Sequence, residues 1–175
     1  MKIGKIIIED NLNYKDLKTA KKRKTVRAVI LNSKNQVLML YSKLFDDYTF
    51  PGGGIKSDES KSEALKRELL EEIGAYNTKI IKRLGHTIEL KYSIGKSNNI
   101  YKQKSYYYLC RVDELGPTNF MGREQEQGLE AVFIDVDEAI THNKKTNEVR
   151  EHSIGMKTVL IRENRVLEKI KGSLK

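Results

Sequence analysis

Between Gly53 and Ala75 the chain passes from a glycine-rich loop into a helix that must carry three glutamates on one side. Ser60 with Glu63 three residues on forms a capping box, residues 63–73 are strong helix formers, and Gly74 supplies a stop. At about 100° per residue, Glu68, Glu71 and Glu72 share roughly one third of the circumference, while Leu65, Leu69, Leu70 and Ile73 take another side. Such a helix is committed to a core on one face and to crowded negative charge on another.

Like charges three and four residues apart repel, and Arg67, four before Glu71, offsets only part of this. A hard divalent cation turns the repulsion into coordination, because Mg²⁺ and Mn²⁺ take carboxylate oxygens and also bind substrate phosphates. The plainer alternative is a solvated charged helix, the commoner meaning of a Glu pair. It leaves Pro51-Gly52-Gly53-Gly54 unexplained. Glycines at that point, directly after Tyr48-Thr49-Phe50, let the backbone come close to a ligand.

These residues resemble the signature of the Nudix hydrolases, G-x5-E-x7-R-E-U-x-E-E-x-G-U with U aliphatic. Gly53, Glu59, Arg67, Glu68, Leu69, Glu71, Glu72 and Gly74 fit it, and Ala75 stands where a larger aliphatic is usual. Lys56 replaces a common acid and Asp58 a common glycine. The motif covers 23 of 175 residues, with weaker similarity from Val26 to Ile140.

The resemblance implies an α+β fold, an α/β/α sandwich around a mixed β-sheet. It implies hydrolysis of a diphosphate linkage in a nucleoside diphosphate derivative, with water attacking phosphorus. The metal would be Mg²⁺ or Mn²⁺, held by Glu68, Glu71, Glu72 and the Gly52 carbonyl, with Gly52, Gly53 and Gly54 against the substrate. Arg67 would pair with Glu71 or Glu59. The general base stays open among Glu68, Glu71 and the acids Glu124, Glu126 and Glu130 of a later loop, with Glu126 preferred because it sits mid-loop.

A nucleoside triphosphate or related small nucleotide is the first expectation for substrate. Dinucleoside polyphosphates and RNA 5′ ends are the alternatives; Tyr92, 17 residues past Ala75, stands where dinucleoside polyphosphate hydrolases tend to carry tyrosine. A non-catalytic nucleotide-sensing module is the reading from another class, and the complete set of acids argues against it.

Composition adds limits. The length suits one domain, with a core over about residues 24–142, an N-terminal extension 1–23 and a C-terminal helical segment 143–175. Net charge is +9, from 33 Lys and Arg against 24 Asp and Glu, which favours polyanionic ligands; nucleic acid is an open but less favoured partner. Cys110 is the single cysteine, so an intramolecular disulfide is excluded. Without an apolar run of about 18 residues or a signal-like start, a cytoplasmic protein without a membrane partner is expected.

Along the chain, Ile6-Ile7-Ile8 suggests an edge strand and Lys21-Lys22-Arg23-Lys24 a solvated basic segment. Residues 25–31 and 36–41 read as a hairpin about Asn32–Asn35, and residues 79–91 and 101–112 as long paired strands. In Tyr106-Tyr107-Tyr108, alternation sends Tyr107 opposite to its neighbours. Residues 112–130 read as loop, 132–136 as strand and 137–140 as the opening of a helix. A final helix is expected within 152–174, broken near Glu163-Asn164. His86, His142 and His152 lack ligand spacing and receive no catalytic role.

Overall fold

The computed structural model describes residues 1–93, 99–120, 123–151 and 154–174, the side chains of residues 123 and 124 excepted. Its strands are β1 (Ile7–Ile8), β2 (Lys21–Ile30), β3 (Val37–Ser42), β4 (Asp47–Thr49), β5 (Lys79–Tyr92), β6 (Ile100–Arg111) and β7 (Leu129–Ile134). Its helices are α1 (Lys61–Ile73), a short α2 (Arg123–Glu126), α3 (Val136–Val149) and α4 (Val159–Leu174), with a 3₁₀ turn at Tyr14–Lys18.

Alternation along the strands builds two cores. Val26, Ala28 and Ile30 of β2, Leu38 and Leu40 of β3, and Tyr106 and Cys110 of β6 meet Ala64, Leu65, Leu69 and Ile73 of α1. Their neighbours Val29, Val37, Met39 and Tyr107 turn the other way, onto Ala139 and Ile140 of α3 and Val166, Leu167 and Ile170 of α4. Helices thus cover both faces of the strands, the sandwich that was expected. One sheet has the order β1-β5-β6-β2, parallel at β1/β5 and β2/β6 and antiparallel at β5/β6; the other, β4-β3-β7, is antiparallel.

Several expectations change. The hairpin over residues 25–41 closes on the Leu31–Val37 bridge and the Asn32 N to Gln36 O hydrogen bond, after which β2 and β3 part into separate sheets. The basic run is solvent-exposed as expected, and it forms the first half of β2, paired to β6 by register. α3 runs on past 142, and α4 begins at Val159 and is unbroken. The expected break at Glu163-Asn164 is a buried polar turn of the helix, Glu163 being bonded to Arg162 and to the Phe50 amide. Residues 112–130 contain α2, and Glu130 lies inside β7 rather than before it. Leu70 is exposed, so the apolar face of α1 is narrower than its leucines suggested. Residues 94–98, between the two long strands, and His152 lie outside the described residues.

Candidate active site

The glycine loop is placed by hydrogen bonds to the free edge of β2. Val26 N donates to Gly53 O and Ala28 N to Pro51 O, both at 2.9 Å, and Ile55 N donates to Lys24 O at 3.1 Å. Gly52 sits at φ +125°, where an added Cβ would overlap the Val26 carbonyl oxygen. Gly53 passes so close to α1 that an added Cβ would lie 2.5 Å from the Glu68 carboxylate, whereas Gly54 faces open space. The first two glycines are thus required by close approach and the third is not.

α1 starts at the Ser60–Glu63 capping box and ends at Gly74 in the left-handed conformation, as its sequence predicts. Arg67 organises its acidic side. Its guanidinium donates to both oxygens of Glu59 (3.1 and 2.8 Å), to Glu68 (2.8 Å), to Glu71 (3.3 Å) and to Gly54 O (3.0 Å). Both pairings expected of Arg67, with Glu59 and with Glu71, are present. The Arg67 hydrogen bonds and the Lys56 amide pull the Glu59 carboxyl down to about 2. Glu68 moves the other way, because burial raises it more than Arg67 lowers it. Glu72 accepts from Gly52 N at 2.5 Å, tying helix to loop.

Glu68, Glu72 and Gly52–Gly54 line one end of a cavity of about 340 Å³. The remaining wall was not foreseen. Arg23, Thr25 and Arg27 of β2, Lys91 of β5, Gln103 of β6 and Arg162 of α4 line it too, with Leu40, Phe45, Leu129, Met156 and Val159. Behind it, Glu89 is completely buried and accepts from Thr158 (2.7 Å), Gln103 and Arg162 (both 3.0 Å), while Arg162 also holds Glu163. Strand register explains the gathering: Arg23, Gln103 and Glu89 form one row across β2, β6 and β5. The readable signals were the polar residues alternating through long strands and the polar interruption of the α4 stripe.

Two of the loop acids, Glu126 and Glu130, lie elsewhere. Glu126 is exposed on α2 and absent from the cavity wall, to which Gln127 and Leu129 contribute. Glu130 is exposed and paired with Lys43. The side chain of Glu124 lies outside the described residues. His86 lies tilted against Tyr106 and His142 bonds Asp46.

Glu68, Glu71 and Glu72 of α1 crowd one face, but they do not converge on a ready-made metal cluster; among the described residues there is no group of three or more such ligands. Arg67 draws Glu68 and Glu71, and the Gly52 amide draws Glu72. The donor chemistry still fits a hard cation. Glu68 and Glu72 are buried carboxylates on the cavity wall, and burial leaves the Glu68 charge under-compensated. The Gly52 carbonyl, unlike those of Pro51, Gly53 and Gly54, accepts no hydrogen bond among the described residues.

A glycine loop tied to a partly buried acidic helix, at the end of a cation-walled cavity, defines a phosphoanhydride-handling α+β protein. The NUDIX domain model matches residues 21–154. An RNA pyrophosphohydrolase of Sulfurovum sp. (strain NBC37-1) is 32% identical over 124 residues, 66% of this chain and 79% of that protein. One of Marinomonas sp. (strain MWYL1) is 44% identical over 52 residues, 30% of this chain and 32% of that protein. The solved Nudix hydrolase of Nitrosomonas europaea shares the fold with a TM-score of 0.58 at 17% identity, over 89% of this chain and 91% of that one. The chain belongs to the Nudix family and is a Nudix pyrophosphohydrolase. Among the described residues no helix is long and apolar enough to cross a membrane.

Proposed function

We propose that the chain hydrolyses the diphosphate linkage of a nucleotide, a nucleoside triphosphate or a close relative, with water attacking phosphorus at the Glu68–Glu72 end of the cavity. The observation that carries this is the joint placement of Gly52, Gly53, Glu68 and Glu72 on one cavity wall. Glu68 and Glu72 would hold Mg²⁺ or Mn²⁺, with Glu71 and the Gly52 carbonyl as further donors. When bound, the cation would neutralise the diphosphate and lower the pKa of the attacking water. Arg67 holds Glu59, Glu68 and Glu71 in register for that task, and Gly53 leaves the Glu68 carboxylate the clearance it needs. Glu68 is the favoured proton acceptor, since among the described candidate bases it alone lines the cavity.

RNA 5′ ends are the second reading. It is favoured by the +9 net charge and by the names of the Sulfurovum and Marinomonas relatives. The test is a product-identified assay with Mg²⁺ or Mn²⁺, comparing nucleoside triphosphates, dinucleoside polyphosphates and a 5′-triphosphorylated RNA. Pyrophosphate or phosphate release from any of them supports the chemistry and ranks the substrates. Inertness toward all three sinks it.

A further inference from the structure

Three cations on the cavity wall keep hydrogen-bond donors that the protein does not use. Lys91 is 4% exposed and lines the cavity, yet among the described residues its ammonium feels neighbouring charges without donating to any acceptor. The nearby carboxylates are already engaged: Glu89 by Thr158, Gln103 and Arg162, and Glu9 by the amides of Tyr92 (3.0 Å) and Gly155 (2.7 Å). Arg23 likewise meets only charges and no acceptor among the described residues. Arg27 gives Nη1 to the Phe50 carbonyl at 2.8 Å, but its Nε is buried and unpartnered.

These cations follow one another. Arg23 and Arg27 share a face of β2 by alternation. Arg27 lies beside Gly52 in the glycine loop, and Arg23 stands in register with Gln103 and Glu89, two residues before Lys91 on β5, so the three cations sit on the wall the acidic helix shares. Burial pushes the Lys91 ammonium down to about 8 despite Glu89 and Glu9, which marks a charge its surroundings do not balance. Arg27 Nε is the buried unpartnered donor among the three cations, and its cost is one an incoming acceptor recovers. Guanidinium and ammonium groups together suit the oxygens of a phosphate.

The geometry points to an anion site formed by Lys91, Arg23 and Arg27, independent of metal, that takes a phosphate the substrate carries in addition to the diphosphate being cut. The inference rests on the proposed nucleotide hydrolysis, which assigns the cleaved diphosphate to the acidic end and leaves these donors for another group. Its substrate class is a nucleotide phosphorylated at a second place, by a phosphomonoester on the sugar or by a phosphodiester to a following nucleotide.

The test is calorimetric binding in EDTA. The probes are a nucleoside 5′-monophosphate, the 3′,5′-bisphosphate of the same nucleoside, and a 5′-phosphorylated dinucleotide. The wild type is expected to bind at least one of the last two about tenfold or more tighter than the monophosphate, the magnitude of one charge-assisted hydrogen bond. The bisphosphate winning identifies a phosphomonoester, the dinucleotide a phosphodiester. Lys91→Gln and Arg23→Gln should each bring the preference within about twofold, and Glu72→Gln should leave it intact. Arg23, the more exposed, decides the matter where circular dichroism shows that Lys91→Gln does not fold. Equal binding of all probes by the wild type, or a preference kept by a folded variant at Lys91 or Arg23, overturns the site. Because no probe is turned over, failure of hydrolysis with the preference intact would strike only the catalytic reading.

Discussion

Gly52, Gly53 and Gly54 are chemically identical, and the structure gives them three different tasks. Gly52→Ala forces a side chain into positive φ and onto the Val26 carbonyl, so it should cost about 2 kcal/mol or more and lower the thermal midpoint. Gly53→Ala meets only the flexible end of Glu68. It should leave the midpoint within a few degrees while cutting turnover roughly a hundredfold, the scale of a lost catalytic group. Gly54→Ala should be silent in both measurements. At Arg67, lysine keeps the charge but not the fork that reaches Glu59, Glu68 and Glu71 together. Arg67→Lys is expected to lower kcat about tenfold or more, since small displacements of positioned groups are costly. An unchanged kcat would show that Glu68 is held without it. Glu126→Gln should alter turnover only slightly, because Glu126 is exposed and outside the cavity wall; a hundredfold loss would restore the loop acid as base.

α4 shows why part of the site escaped the sequence. The box is contiguous, so helix periodicity and local glycine chemistry suffice to group Glu68, Glu72, Gly52 and Gly53. Arg162 meets Glu89 across 73 residues and Thr158 meets it across 69, contacts that only strand order and helix docking create. For the same reason the polar Arg162-Glu163-Asn164 step resembled a helix break, while in the fold it is a buried joint between α4, β5 and the Phe50 amide. Likewise the turn at Asn32–Asn35 was legible, but nothing local says that β2 and β3 part into different sheets after one bridge. Arg162→Met removes the cation between two completely buried carboxylates, Glu89 and Glu163. It should destabilise by about 3–5 kcal/mol in urea unfolding. Burial alone would raise Glu89, but Arg162 and Lys91 outweigh it and hold that carboxyl below its ordinary value of 4.5. Its contribution is therefore complete above that value and lost as pH falls through the lowered one. Arg162→Met should unfold at a higher pH than the wild type on acidification; coincident acid transitions would show that the joint carries no such coupling.

At the scale of the whole molecule, two cores on opposite faces of the sheets hold α1 on one side and α3 and α4 on the other. The cavity lies where the two sheets, the glycine loop and α4 meet. The +9 charge is divided by β2 itself: Arg23 faces the cavity, while Lys22 and Lys24 alternate to the opposite face and are exposed. Replacing Lys22 and Lys24 with Gln should leave nucleoside triphosphate turnover within a few fold, because exposed charges are screened beyond about 8 Å at physiological salt. If RNA is a substrate, the same change should flatten the salt dependence of its binding by about one unit for each phosphate that is no longer neutralised.

The central claim is that the acidic helix performs metal-dependent hydrolysis, and Glu72→Gln tests it most directly, since the amide keeps the volume and an acceptor for Gly52 N while removing one charge. Turnover of the preferred nucleotide at saturating Mg²⁺ and the thermal midpoint are measured together for wild type and variant, with EDTA as control. The expected result is wild-type turnover abolished by EDTA, and a variant about a hundredfold slower or worse at a nearly unchanged midpoint. Unchanged turnover by Glu72→Gln at saturating Mg²⁺, or full wild-type activity in EDTA, would contradict it.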